Sequence, residues 1–246
     1  MREDNKRKLS EQLIRCVLDD KLSNDKKLRK MDYIIRLGAD VNARYENGFS
    51  VLVLAKTIGN DEVVSFLEER GASCIGCDKE KVEEFFRTAS VDEINKVLKV
   101  LPDGYDLDCN VDLSGRGLTE LPDFSRLVVW GRFDCSYNHL ETLKGAPSEV
   151  RGSFHCKDNR LTSLEGAPSK VSGGFYCSLN EFKTLKGTIR EIGGDFQAGS
   201  LNVGIFSEEF QAKVCGRILV REKRKLIGKE LEEYLKRKRD FEMNEI

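Results

Sequence analysis

Two cysteines three positions apart, Cys74-Ile75-Gly76-Cys77, are the first residues in the chain whose types and spacing could do chemistry. Such a pair can cycle between dithiol and disulfide, or supply half of a tetrahedral metal site. A zinc site needs four ligands, and no second CxxC or Cys/His pair stands at ligand spacing. A redox role of the usual kind needs a thioredoxin-like strand–helix–strand setting, which the flanking sequence does not supply. The only histidines are His139 and His155. His155 adjoins Cys156, but neighbours on a strand point to opposite faces, so they do not make a nucleophile–base pair. There is no Gly-x4-Gly-Lys-Ser/Thr loop to cradle a phosphate. The chain therefore reads as non-enzymatic, with no metal and no cofactor.

The elements that would position any functional group are set by a repeat. Phe133-Asp134-Cys135, Phe154-His155-Cys156, Phe175-Tyr176-Cys177 and Phe196-Gln197-Ala198 begin 21 residues apart. Asn138, Asn159 and Asn180 keep the same step, as do Leu140, Leu161 and Phe182, and then Leu143, Leu164 and Leu185. Gly145-Ala146-Pro147 returns as Gly166-Ala167-Pro168, and Gly173-Gly174 as Gly193-Gly194. A repeat of this length is a solenoid signature. Phe-x-Cys puts two apolar side chains on one face of a strand, a face that only a stacked neighbour can bury. One short strand per repeat is expected, with the asparagine hydrogen-bonding backbone groups where the chain bends out of it.

This pattern resembles the leucine-rich repeat, Leu-x-x-Leu-x-Leu-x-x-Asn-x-Leu. Phe133, Cys135, Asn138 and Leu140 fill its second, third, Asn and last positions, and the next two copies match likewise. An earlier copy, Val111-Asp112-Leu113 with Leu118 and Leu121, lies 22 residues upstream and carries Arg116 in the Asn slot. The first leucine slot holds Trp130, Arg151, Ser172 and Gly193, with Val150, Val171 and Ile192 one place earlier. The resemblance covers about residues 111–204 and implies a stacked scaffold with an outward-facing strand ladder that grips another macromolecule.

Upstream, Leu13, Ile14, Val17 and Leu18, then Met31, Ile34 and Ile35, follow helical spacing. Gly38-Ala39 and Gly71-Ala72 stand 33 residues apart, with Asn47-Gly48 and Ser50-Val51-Leu52-Val53 between them. This is similar to the ankyrin repeat, a β-turn followed by two helices, although the proline and histidine of that family's turn are missing. Val82, Phe85 and Phe86, then Ile94, Val97, Leu98 and Leu101, give a third and weaker unit, expected to pack on the start of the solenoid.

The 246 residues carry 41 Lys and Arg against 42 Asp and Glu, a net charge of −1. Residues 213–239 alone hold 11 Lys and Arg against 4 Glu, a basic tail on an acidic body. Phe206, Phe210, Val214 and Ile218 recur every four residues, so a helix is expected there, its apolar face covering the last strand. No apolar run nears the roughly 20 residues of a membrane helix, and the N-terminus lacks an apolar signal core. Three cysteines on an inward ladder favour free thiols in a reducing compartment, so the reading is cytoplasmic (host cytoplasm if viral) with no membrane partner.

The sequence thus predicts an α+β repeat solenoid: ankyrin-like helical repeats over 1–105, a five-strand leucine-rich-repeat solenoid over 106–205, and a basic C-terminal helix over 206–246. Near-identical short repeats of these kinds resemble those of phages, viruses and bacteria, which implies an adaptor, inhibitor or effector that occupies a surface of a partner protein. Arg132, Asp134, His155, Lys157, Tyr176 and Gln197 flank the inward pairs and are the expected partner-binding residues, since tyrosine and arginine are favoured anchors. Two alternatives stand beside this. One is a nucleic-acid or ribonucleoprotein binder using Arg221, Lys223, Arg224, Lys225, Lys236, Arg237, Lys238 and Arg239. The other is a structural subunit of a larger assembly such as a virion.

Overall fold

A computed structural model describes residues 3–200, 210 and 212–221. It shows a helical N-terminal region followed by a parallel β-solenoid of about five turns. The chain divides into two compact units, Met1–Leu113 with Pro122–Phe133, and Ser114–Leu121 with Asp134–Ile246.

The first unit begins with helices α1 (Glu3–Leu18), α2 (Asn24–Arg36), α3 (Val51–Ile58), α4 (Asp61–Glu68), α5 (Lys79–Thr88) and α6 (Val91–Val100). Their ends follow from local chemistry. The side chains of Ser50, Asn60, Asp78 and Ser90 accept the backbone N–H three residues on, and Ser90 with Glu93 forms a reciprocal capping box. Lys27 is buried, and its ammonium donates to Val17 O (3.1 Å), which satisfies a carbonyl at the negative end of α1. Gly38 and Gly71, 33 positions apart, both take positive φ after α2 and α4, where the helices stop. Asn42 Oδ1 accepts Ser73 N–H (2.8 Å) and so links the two loops that follow these glycines. Asp32 receives Arg70 at 2.8 Å and Arg36 at 2.7 Å, and Arg70 also lies 3.5 Å above the Phe66 ring.

Helix α3 packs on α4 and α6, and α1 packs on α2 and α3. Strands β1 (Asp106–Leu107), β2 (Val111–Asp112) and β3 (Val128–Val129) complete this unit, β1 pairing with β3 in parallel. Helix α5 packs against β2. An aromatic chain runs through the contact, Phe86 to Phe124 at 5.4 Å and Phe124 to Phe133 at 5.2 Å between centroids. The third helical segment therefore packs on the first solenoid strands, as its apolar spacing predicts.

After β4 (Phe133–Asp134), where the units divide, the second unit stacks two parallel ladders. One holds β5 (Glu149–Val150), β7 (Lys170–Val171), β9 (Glu191–Ile192) and β11 (Lys213–Val214). The other holds β6 (Phe154–His155), β8 (Phe175–Tyr176), β10 (Phe196–Ser200) and β12 (Ile218–Arg221). Each turn thus supplies two strands, not the one that the Phe-x-Cys pattern predicts. Val150, Val171 and Ile192, which sit one place off the leucine-rich pattern, are the buried residues of the additional ladder. Its outward residues run Glu149, Lys170, Glu191, Lys213 in register, and alternating signs of this kind favour that register over a slip. Lys170 and Glu191 pair at 3.2 Å.

A glycine corner separates the two strands of a turn. A Cβ on Gly194 would lie 2.8 Å from the Gly173 carbonyl carbon one turn away, so this corner admits no side chain. Inside, Phe154 stacks on Phe175 at 5.1 Å and Phe175 on Phe196 at 5.8 Å. Cys135, Cys156, Cys177 and Ala198 are buried beside them.

One further expectation is corrected here. The helix read from Val214 and Ile218 is absent, because these residues lie on β11 and β12, in register with Ile192 and Phe196. Cross-strand pairing with a preceding turn outweighs the four-residue apolar spacing at these two residues. The rest of the expected C-terminal helix lies outside the described residues. Among the described residues, no helix is long and apolar enough to cross a membrane.

Candidate functional site

Alternation on β6, β8 and β10 buries one residue and presents the next. The presented rank in the second unit is His155, Tyr176, Gln197 and Leu219, each opposite the next in register. His155 and Tyr176 lie face to face, with centroids 4.6 Å apart and planes 35° from parallel. Lys157 Nζ stands 5.1 Å from the centre of the Tyr176 ring, in cation–π range. Gly174 makes this possible: a Cβ there would fall 2.6 Å from Tyr176 Oη and 2.7 Å from the ring, so the tyrosine folds back across its own strand only because position 174 is bare.

The rank is tied down from below. Asp134 Oδ1 accepts Ser136 N–H (3.0 Å), and Ser136 Oγ accepts Lys157 N–H (3.2 Å). Ser153 Oγ accepts Gly174 N–H (3.1 Å). Arg217 donates to Asp195 from both its backbone and its guanidinium, each at 2.8 Å. That pairing holds the Asp195 carboxyl below its usual range. Ser178 repeats the Ser136 position, yet its hydroxyl is buried without a partner.

The predicted residues therefore fall into separate groups. His155, Lys157 and Tyr176 form one cluster, and Gln197 sits beside Tyr176 on the next strand. Asp134 opens the second unit, and Arg132 belongs to the first, where its N–H donates to Asn110 Oδ1 (2.8 Å). Arg221 lies on β12, while Lys223, Arg224, Lys225, Lys236, Arg237, Lys238 and Arg239 fall outside the described residues. The ladder cysteines are enclosed, and burial pushes the Cys135 and Cys156 thiols well up, away from a reactive thiolate. Cys156 is fully buried while His155 faces outward, so the two do not make a catalytic pair. Among the described residues, no group of three or more His, Cys, Asp or Glu could hold a metal ion.

Sequence reading missed two features, one in each unit. Tyr137, Asp158 and Leu179 occupy one repeat position, and all three take the left-handed conformation, with φ of 59°, 53° and 59°. Gly115 stands in the same slot one turn earlier, with φ of 65°. The glycine and the aspartate were the available signal, since both tolerate this conformation. The tyrosine and leucine there are 61% and 70% exposed. The second feature is a groove of about 620 Å³ within the first unit, lined among others by Leu54, Phe85, Val97, Lys81, Glu84 and Lys96.

No protein-family model, curated protein or solved structure matches this chain.

Proposed function

We propose that the protein is a non-catalytic interaction module which occupies a surface of a partner protein, as an adaptor, inhibitor or effector. The observation that carries this reading is the cluster of Tyr176, His155 and Lys157, presented on a ladder of parallel strands. The strands are fixed by stacked phenylalanines inside and by backbone hydrogen bonds between turns, so few side chains need ordering on contact. Aromatic rings with an adjacent cation are the usual anchors of protein interfaces. The helical region, in this reading, is ankyrin-like and the solenoid is a leucine-rich-repeat variant with a second strand per turn. The test is capture of partners from a native lysate on immobilised protein, after nuclease treatment. A partner retained by the parent and lost by Tyr176→Ala, with both proteins melting alike, supports the proposal. Retention unchanged by both Tyr176→Ala and His155→Ala overturns it, and loss of every partner on nuclease treatment points to nucleic acid instead.

A further inference from the structure

Successive turns of the second unit hold Gly115, Tyr137, Asp158 and Leu179 at one repeat position, all with positive φ. The stack imposes that conformation. The amides of Gly115, Tyr137 and Asp158 each donate to a carbonyl one turn on: Ser136 O at 3.0 Å, Lys157 O at 2.8 Å and Ser178 O at 3.0 Å. Gly115 meets the demand without strain, having no Cβ to crowd its own backbone. Asp158 meets it at small cost, because a short polar side chain tolerates this region. Tyrosine and leucine adopt it only under strain.

Packing does not offset that strain. Tyr137 is 61% exposed and Leu179 70%, whereas Leu140 and Leu161 of the same turns are fully buried. A bulky side chain that strains the backbone and stays in water gains the fold nothing, and strain of this kind gathers where a surface meets a partner. Asp158, between the two, is exposed, and its carboxylate has no ion pair or hydrogen bond among the described residues. Its neighbour Lys157 holds its ammonium 5.1 Å from the centre of the Tyr176 ring instead. Two residues further along each turn, Arg160 and Glu181 are exposed and offset each other in sign, with His139 beside them. The ridge thus reads apolar, acidic, apolar. Its rungs stand about 4.8 Å apart, so Tyr137 and Leu179 are separated by about 10 Å. An α-helix rises about 5.4 Å per turn, and residues seven apart span about 10.5 Å. A helix laid along the stack sets one side chain against each rung.

We propose that Tyr137, Asp158 and Leu179 form a docking ridge for an amphipathic helix of a partner protein, one whose contact face carries a basic residue between two apolar ones at one-turn spacing. The basic side chain meets the Asp158 carboxylate, and the apolar ones pack on Tyr137 and Leu179. The inference rests on the reading of the protein as an interaction module, but not on the Tyr176 cluster, which belongs to the neighbouring rank.

The experiment selects a displayed library of helical peptides, randomised on one face, against the full chain. Enriched peptides should converge on apolar, basic and apolar residues at i, i+4 and i+7. Their affinity should fall about tenfold or more for Asp158→Asn and for the double variant Tyr137→Asn, Leu179→Asn, and stay unchanged for Tyr176→Ala. Asparagine tolerates the left-handed region, so these variants should melt at or above the parent temperature. A lower melting temperature for the double variant would return both side chains to the fold and overturn the proposal. So would a library that enriches nothing, or peptides indifferent to the ridge substitutions. Self-association of the parent that the double variant abolishes would assign the ridge to a second copy of the chain and overturn it too. Loss of peptide binding in Tyr176→Ala alone would leave the interaction-module reading standing and remove the ridge from it.

Discussion

Replacing Asn159 by alanine tests the solenoid at a buried polar side chain that ties two successive turns together. Asn159 Oδ1 accepts Leu140 N–H (3.0 Å) from the preceding turn. Its amide donates to Cys135 O (3.0 Å), Cys156 O (3.3 Å) and Lys157 O (3.3 Å). Four hydrogen bonds disappear in the variant, yet the carbonyls are not stranded. Cys135 O keeps the Asn138 amide, Cys156 O keeps the Asn180 amide, and Lys157 O keeps Tyr137 N–H. Only the Leu140 amide, on a fully buried residue, loses its acceptor without replacement. One orphaned buried donor costs about 1–3 kcal/mol, so Asn159→Ala should lose that much and not four times as much. Asn138 Oδ1 accepts from two amides, Arg116 at 2.9 Å and Leu118 at 3.0 Å, so Asn138→Ala should cost more. Asn159→Asp keeps the acceptor but turns a negative oxygen toward the carbonyls. It should be less stable than the alanine variant at neutral pH and recover as its carboxyl protonates. Urea denaturation followed by far-UV circular dichroism measures all three, read as midpoint shifts at constant slope. An unmoved midpoint for Asn159→Ala, or a smaller loss for Asn138→Ala than for Asn159→Ala, would refute the reasoning.

Cys156→Asp should abolish the cooperative thermal transition of the solenoid, because it places a charge without a partner in a fully enclosed site; melting like the parent would remove the sulfur from the core. In the first unit, the Asp32 carboxyl is held low, chiefly by its hydrogen bond from Arg70 and further by Arg36. A depressed native pKa means the stabilisation is present above the unfolded carboxylate value, about 4, and is lost as pH falls through the native one. The stability gap between the parent and Asp32→Asn should therefore narrow below pH ~4, and a gap independent of pH between 3 and 6 would count against the ion pair.

The 21-residue period was legible because near-identical copies put phenylalanine, cysteine and asparagine at fixed steps, and each has one physical job in every turn. The second ladder was harder to read. A strand of two residues is too short to show a period, and Val150, Val171 and Ile192 looked like a slipped leucine slot. The error at Val214 and Ile218 had a readable cure. Lys213-Val214-Cys215-Gly216-Arg217-Ile218 aligns at 22 residues with Glu191-Ile192-Gly193-Gly194-Asp195-Phe196, the same step that relates Val111 to Phe133. At the surface, sequence placed Tyr176 and His155 on the outward face. It did not reveal that Lys157 reaches the ring, which depends on the bare Gly174 beneath.

The asparagine ladder gives the solenoid interchangeable parts. Asn159 serves Leu140 as Asn180 serves Leu161, and Phe175 lies over Phe154 as Phe196 lies over Phe175. If residues 154–174 were excised in frame, Phe175 would inherit the seat of Phe154, and Asn180 would find the Leu140 amide waiting. Such a chain can lose or gain whole coils, altering the length of its outward strand ladder while leaving every internal bond type in place.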